Sequence, residues 1–273
     1  MINLLICGNS GVRDGMILTS LSLVSKSSRA VTLYIGTMDL TELDPRFTPI
    51  SEDDARLIDG ILKEGNPDSR AVLLDMGEGF KRTMLDSRNI GTSYTPYTML
   101  RLVADMYGLP DKLLYIDTDV MFYGDVGELY DINVEDYELA AVKDYYGHVF
   151  IAPRYFNAGV LLLNMTEMKK SGLFERARRL CVEKKMLLCD QSALNKCVKR
   201  RLLIPRRFNE QHKLMPDTVL QHFSMRIRWI PFRTEKIKPW QPDLLHERLG
   251  IYCYDGVIER WERIRDNGYR LCP

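Results

Sequence analysis

The sequence predicts an α/β fold, a sheet with crossover connections flanked by helices, in a single domain with a basic C-terminal tail. Three observations predict it. Short apolar runs at residues 3–7, 31–35, 71–74, 112–116, 139–142 and 156–164 alternate with stretches of helical spacing, the pattern of crossover connections on an α/β sheet. The first run closes on Gly8-Asn9-Ser10-Gly11, where open α/β sheets bind ligands because backbone amides let a nucleotide approach. The apolar run 113–122 holds two carboxylates, Asp117 and Asp119, inside it. With 273 residues the chain can bury roughly 75% of its unfolded surface, enough for an enzyme core.

Taken in order, residues 16–24 carry the first helical spacing after the glycine loop. That loop has neither the Gly-x-Gly-x-x-Gly pattern nor the Lys-Ser/Thr of a phosphate loop, so an ordinary strand-to-helix turn is its plain alternative. Ser51 is placed as the N-cap of a helix reaching about residue 63, with Asp53 and Asp54 in its first turn. In residues 97–107 Met99, Leu102, Val103 and Met106 recur at three and four, which predicts an amphipathic helix ended by Pro110, with Arg101 on its solvated face. Residues 144–155 lack apolar periodicity and read as a loop that can cover a site. Residues 173–181 read as a helix with basic residues outward. A further helix opens at Asp190-Gln191, where Asp190 stands in the place of an N-cap.

The Asp117/Asp119 pair is the costliest feature, since a buried carboxylate needs a cation or donors beside it. Residues two apart on an extended chain point the same way, so the pair can grip one hard metal ion; a strand end that merely starts a turn is the alternative. Asn157-Ala158-Gly159 before the apolar run 160–163 removes bulk where a ligand or another chain comes close, unless it marks a bulge. Between Lys199 and Lys238 eleven basic residues meet only Glu210, Asp217 and Glu235, interleaved with Phe208, Phe223, Trp229, Phe232 and Trp240. Such a segment could meet a diphosphate, an anionic acceptor or a membrane surface. His222 follows an apolar run and could be a core histidine; His212 and His246 show no ligand-like spacing. In residues 257–265 apolar and arginine residues interleave, so this stretch either docks on the body or lies at a membrane interface.

Net charge is +1, from 38 basic and 37 acidic residues, which speaks against attachment to nucleic acid or membrane by bulk charge. The six cysteines contain no Cys-x-x-Cys pair and are expected to be reduced. No basic leader precedes the first strand and no run of about 18 apolar residues exists, so a cytoplasmic location is expected, with the inner face of the membrane as a peripheral option.

Four features stand together: Tyr115-Ile116-Asp117-Thr118-Asp119; Phe156-Asn157-Ala158-Gly159-Val160 with Asn164; Asp190-Gln191 with Leu194-Asn195; and His222-Phe223 followed by Lys238-Pro239-Trp240. In that order they resemble family 8 of the retaining glycosyltransferases, which includes bacterial lipopolysaccharide galactosyl- and glucosyltransferases and glycogenin. The resemblance covers residues 3–240. It implies a GT-A fold over 1–240, a Rossmann-like mixed sheet flanked by helices, with a nucleotide-binding half at about 1–125, an acceptor half at about 126–240, and residues 241–273 as a C-terminal extension, helical and interfacial.

The resemblance further implies that Asp117, Asp119 and His222 are metal ligands, for Mn²⁺ with Mg²⁺ as the alternative. Cys7, Gly8 and Asn9 would line the nucleoside pocket, and Thr118 and Arg101 would lie by the donor. Asn157 and Ala158 would wall the donor sugar. Asp190 would bind sugar hydroxyls, Gln191 would face the anomeric carbon and Lys238 would contact the diphosphate. The implied reaction moves glucose or galactose from a UDP-sugar to a saccharide or glycolipid acceptor of the cell envelope. Three positions depart from the family pattern: Asn9 replaces an aspartate at the nucleoside, Ser192 replaces the last residue of Asp-Gln-Asp, and residues 224–237 separate His222-Phe223 from Lys238. Either the closing loop is longer, or Arg226 and Arg228 share the work of Lys238.

Two other readings of the same residues exist. One is a nucleotide-sugar-binding protein without turnover. The other is a haloacid-dehalogenase-type phosphatase, whose Asp-x-Asp pair normally stands near the domain's start, unlike here. No nucleic-acid-reading motif is present.

Overall fold

Residues 2–7 are apolar at every position except Asn3, and this run forms a strand at the middle of the sheet. The computed structural model describes residues 1–92, 94–229 and 232–271; Cys272 and the side chains of Trp229 and Phe232 lie outside the described residues. The elements begin with β1 (Ile2–Cys7), α1 (Arg13–Val24), β2 (Val31–Thr37), α2 (Glu52–Gly65), β3 (Arg70–Asp75) and α3 (Gly77–Met84). Next come β4 (Lys112–Ile116), β5 (Val120–Phe122), α4 (Gly127–Tyr130), β6 (Leu139–Lys143), α5 (Gly147–Phe150) and β7 (Phe156–Asn164). Then follow α6 (Met165–Ser171), α7 (Leu173–Glu183), α8 (Cys189–Cys197), β8 (Arg201–Leu203) and β9 (Leu220–His222). The chain closes with β10 (Arg226–Trp229), β11 (Phe232–Glu235), α9 (Pro242–Leu244) and α10 (Asp255–Asp266).

Seven strands form one sheet in the order β3-β2-β1-β4-β7-β6-β8. β1, β2, β3 and β4 run parallel, β7 runs antiparallel to both β4 and β6, and β8 is parallel to β6. The sheet is mixed, as expected. Its strand order reverses direction at β1 and β4, and the crevice beyond their carboxyl ends is where such sheets take ligands. Alternation along the strands divides the core: Leu4, Ile6, Leu114 and Ile116 face α1, α2 and α10, whereas Leu5, Cys7, Leu113 and Tyr115 face α7, α8 and residues 96–106. Ser51 caps α2 through a reciprocal box with Asp54.

Several expectations change. Residues 96–106 form a 3-10 segment, not an amphipathic α-helix, and Leu100, Arg101 and Ala104 are buried along with Met99, Leu102 and Val103 of the 3/4 pattern. It has no solvated face because β1 and β2, α7 and α8 all pack on it. The stretch 144–155 is not wholly a loop, since it contains α5. In α7 the basic face is only partly outward: Arg178 is buried and pairs with Asp105. Asp190 is not an N-cap, because Leu188 holds that place and Asp190 lies within the first turn of α8. Cys189, with φ at 45°, turns the chain into α8 through left-handed backbone that a non-glycine residue rarely adopts.

The interleaved stretch near the carboxyl end is α10, and it docks on the body: Ile258, Trp261 and Ile264 are buried against the α1 side of the core, and Trp261 Nε1 donates to Asp14. Its arginines meet carboxylates, Arg260 with Glu64 and Arg265 with Glu262 and Asp266. Three cations of the basic segment are likewise neutralised from elsewhere in the chain: Arg200 by Glu167, Arg207 by Glu128 and Lys238 by Asp119. Among the described residues no helix is long and apolar enough to cross a membrane. Cys7, Cys181, Cys189, Cys197 and Cys253 are free thiols.

Candidate active site

Where β4 ends, the Asp117 amide still donates to Gly159 O at 2.8 Å, and the chain then turns tightly so that β5 begins at Val120. β5 pairs antiparallel with β9, with Val120 opposite His222, and Phe223 N donates to Asp119 O at 2.9 Å. This short ladder carries an imidazole from a hundred residues away onto the two aspartates. His222 Nε2 lies 3.2 Å from Asp119 Oδ1 and 3.8 Å from Asp117 Oδ2. One ligand atom from each of the three residues falls within 4.8 Å of the others.

The Asn157-Ala158-Gly159 step makes room for that ring. A Cβ at Gly159 would collide with His222 Cε1 and stand 2.6 Å from its Nδ1 and 2.9 Å from Asp117 Oδ2. The small residue therefore admits a side chain of this chain. Burial opposes the Asp119 charge, but Lys238 and His222 beside it hold the carboxyl below its usual range. Burial also opposes protonation of His222, yet the Asp119 and Asp117 carboxylates raise its pKa. Its buried Nδ1 has no hydrogen-bond partner. Two carboxylates and one imidazole converging in this way fit a divalent cation.

Arg101 is the buried counter-charge of the site, not a surface residue, at 4% exposure. Its Nη2 donates to Asp117 Oδ1 at 2.9 Å, and Nη1 donates to Ala158 O. Its Nε donates to Thr98 O at 3.2 Å while standing 3.0 Å from Asp190 Oδ2, so Asp190 gains charge compensation without a hydrogen bond on that oxygen. Tyr115 hydroxyl donates to the same Asp117 Oδ1 at 2.7 Å. With Oδ1 so occupied, Oδ2 is the oxygen turned toward His222. Burial pushes the Asp190 carboxyl up from 3.8 to about 6, and Arg101 only partly offsets that rise.

Gln191 is engaged at both ends of its amide. Its Oε1 accepts from Ala158 N at 2.9 Å and its Nε2 donates to Asp144 Oδ2 at 3.1 Å. The same Asp144 oxygen accepts from Asn157 Nδ2 at 2.9 Å, and Asn157 Oδ1 accepts from Gly159 N and Asn209 Nδ2. Asp144 thus ties together two predicted residues, and it was missed because a lone aspartate in an aperiodic stretch carries no pattern. Asn209 was missed for the same reason, and Tyr115 because in an apolar strand it reads as a core residue. Ser192 has its own partners, the Tyr155 hydroxyl and Leu188 N.

On the other side, Cys7, Gly8 and Asn9 end β1 beside the 117–119 turn. Burial pushes the Cys7 thiol up to about 12, so it stays neutral. Asn9 Nδ2 donates to Arg46 O at 3.1 Å, and Thr37 hydroxyl donates to Gly8 O at 2.9 Å. A Cβ on Gly8 would stand 3.5 Å from Thr118 Cγ2, which puts the glycine loop and the aspartate turn side by side. Within the insertion β10 pairs antiparallel with β11, and Arg228 pairs with Glu235 at 3.8 Å. Lys238 returns to the site, pairing with Asp119 and donating to Phe223 O at 3.1 Å. Trp240 fixes its position by packing on α1, where a Cβ at Gly15 would fall 2.7 Å from the indole.

A family model described as Glycosyl transferase family 8 matches residues 22–243. Among known proteins, the chain is similar to glycosyltransferase GlyA of Streptococcus pneumoniae, 31% identical over 183 residues, covering 64% of this chain and 25% of GlyA. It is also similar to the lipopolysaccharide 1,2-glucosyltransferase of Escherichia coli, 25% identical over 161 residues, covering 52% of this chain and 48% of that one. The chain therefore spans about half or less of the length of these two relatives. The crystal structure of galactosyltransferase LgtC with donor and acceptor sugar analogs superposes with a TM-score of 0.69 at 19% identity, covering 100% of this chain and 98% of that chain. That likeness gives the GT-A fold expected from the sequence.

Proposed function

The chain belongs to glycosyl transferase family 8, and from that premise we propose that it moves a hexose, glucose or galactose, from a UDP-sugar to a saccharide or glycolipid acceptor of the cell envelope, with retention at the anomeric carbon. The observation that carries the reading is the meeting of Asp117, Asp119 and His222 beside the end of β1, with Asp190, Gln191 and Asn157 opposite. The name of the Escherichia coli relative supports the envelope acceptor.

Asp117, Asp119 and His222 would hold the divalent ion, and Mn²⁺ suits a set containing an imidazole better than Mg²⁺, which prefers oxygen. When bound, the ion supplies positive charge against the diphosphate as that leaving group gains negative charge. Arg101 and Tyr115 fix the Asp117 carboxylate so that one oxygen stays directed at the ion site. Lys238, on a segment anchored by Trp240, turns its ammonium from Asp119 toward the β-phosphate and stabilises the same developing charge. Gly8 and Asn9 receive the nucleoside with Cys7 beneath them, Thr118 lies by the diphosphate, and Asn157 and Ala158 wall the sugar.

The bonding of Gln191 and Asp190 supports same-face attack over double displacement. Both ends of the Gln191 amide are engaged, and an amide is a poor nucleophile. Asp190 is 1% exposed and held beside Arg101. The acceptor oxygen then bonds to the anomeric carbon on the face the diphosphate leaves, and the departing phosphate oxygen takes the acceptor's proton. We place this reaction in the cytoplasm, peripheral to the inner face of the membrane. UDP-, GDP- and ADP-sugars compared for metal-dependent donor hydrolysis test the reading: turnover with UDP-glucose or UDP-galactose is expected, and hydrolysis of none overturns it. A covalent sugar trapped on Asp190 or Gln191 overturns the same-face route.

A further inference from the structure

The register of β10 and β11 sets Arg226 opposite Glu235 and Arg228 opposite Arg233. Side chains two apart on a strand, and those directly across from them, share a face, so three guanidiniums and one carboxylate crowd one side of this strand pair. Like charges placed directly opposite are destabilising. Arg226, Arg228 and Glu235 of that face line a pocket of about 270 Å³ together with His212, Glu247 and Arg248. Among the described residues its walls hold neither Lys238 nor any of Asp117, Asp119 and His222, so it is a place apart from the ion site.

The carboxylates nearest these cations are already engaged. Glu235 is shared between Arg233 at 2.6 Å and Arg228 at 3.8 Å. Glu210, whose charge also acts on Arg226, is taken by Arg206 and by the amides of His212 and Lys213. The half-buried Arg226 guanidinium therefore has no hydrogen bond or ion pair among the described residues, and the Arg248 guanidinium has none either. Arg226, Arg228, Arg248 and the adjoining Arg233 face only Glu235 and Glu247, which leaves a surplus of two positive charges. The His212 ring is stacked on Tyr145 with centroids 4.5 Å apart, and burial, then Arg226 and Arg206, lower its pKa. It is neutral near pH 7 and has a ring N–H to donate. The Ile227 amide is used by the Tyr146 hydroxyl. A guanidinium partly withdrawn from water without a counter-charge is costly, and its planar fork matches phosphate oxygens.

We propose that this pocket binds a phosphate monoester group, with Arg226 and Arg248 as its counter-charges and His212 as a hydrogen-bond donor. Such a group carries a charge of about −1.5 to −2 near pH 7, which matches the surplus on the walls. At about 270 Å³ the pocket is smaller than the roughly 300–1,000 Å³ of sites that bury a drug-sized ligand, so it takes the phosphate and leaves the rest of the molecule outside. The site goes beyond the transferase reading and stands without it, since none of its walls belongs to the ion or diphosphate positions. A saccharide phosphate and a phospholipid headgroup both present this chemistry.

The test is calorimetric titration in EDTA at fixed ionic strength, with inorganic phosphate and glucose 6-phosphate as probes. It compares the wild-type chain with Arg226→Gln/Arg248→Gln and with Glu247→Gln. Both probes are expected to bind the wild type at least tenfold tighter than the double variant. Removing the Glu247 charge from the rim should tighten binding about threefold, the worth of one charge a few Å away in water. That gain, made at an exposed position, keeps the test decisive if the double variant fails to fold. Sedimentation with phosphatidylcholine vesicles containing phosphatidic acid separates the two sources. Vesicle binding that needs Arg226 and Arg248 assigns the phosphate to a lipid headgroup, and binding of the soluble probes alone assigns it to a saccharide. No binding of any probe, or an affinity unchanged by either the double substitution or Glu247→Gln, overturns the assignment.

Discussion

At Asp144 the satisfaction of hydrogen bonds leaves no slack. Oδ2 accepts from Asn157 and Gln191, while Oδ1 accepts from Gly147 N at 2.6 Å and Tyr146 N at 3.1 Å. An asparagine offers one acceptor oxygen in place of two, so Asp144→Asn must give up either the loop or the Gln191 and Asn157 contacts. The expected result is a kcat lower by about a hundredfold with the donor KM little changed, because misplacement acts on geometry at the reacting centre. A donor KM raised in proportion would assign Asp144 to binding alone. Asp190 gives a different prediction. Its carboxyl is raised from 3.8 to about 6 by burial, so its contribution to stability is full below pH about 4 and is lost as pH rises through about 6. Asp190→Asn removes that titration, and the variant's Tm should gain on the wild type across this window; parallel curves would contradict the assignment.

The approach of β9 to β7 is the step at element scale on which the site depends. β9 has three residues, and its pairing with β5 brings His222 over Gly159. Gly159→Ala should push the imidazole off Asp119 while leaving the seven-stranded sheet intact. Mn²⁺ binding followed by electron paramagnetic resonance should weaken at least tenfold with Tm little altered, and unchanged Mn²⁺ affinity would show that the close approach is not required. Part of this was legible in sequence: carboxylates in an apolar run and small residues before another run are both out of place for packing alone. The rest was not legible for a physical reason. Periodicity reports which residues are apolar, not what surrounds an element, so the 96–106 segment looked half-solvated until α7 and α8 closed over Arg101. Capping statistics likewise put Asp190 two residues outside its true setting, since a left-handed Cys189 begins α8 earlier. The partners of Lys238 lie across a hairpin whose length hides them from any local pattern.

Over the whole molecule, one face of the sheet is closed by α1, α2 and α10 and the other by α7, α8 and the 96–106 segment, which leaves the carboxyl ends of β1 and β4 as the open edge. Asp117, Asp119 and His222 meet at that edge, beside Cys7, Gly8 and Asn9. The central claim is that Asp117, Asp119 and His222 hold an ion that fixes a uridine diphosphate there. Thermal unfolding with UDP, in Mn²⁺ or in EDTA, tests it most directly. At a hundredfold excess over Kd a ligand stabilises by about 2.7 kcal/mol, or about 5 °C for a chain of this size. A shift of that order with UDP and Mn²⁺, absent in EDTA and absent in Asp119→Asn, is the predicted result, whereas an equal shift in EDTA or an undiminished one in the variant would contradict it.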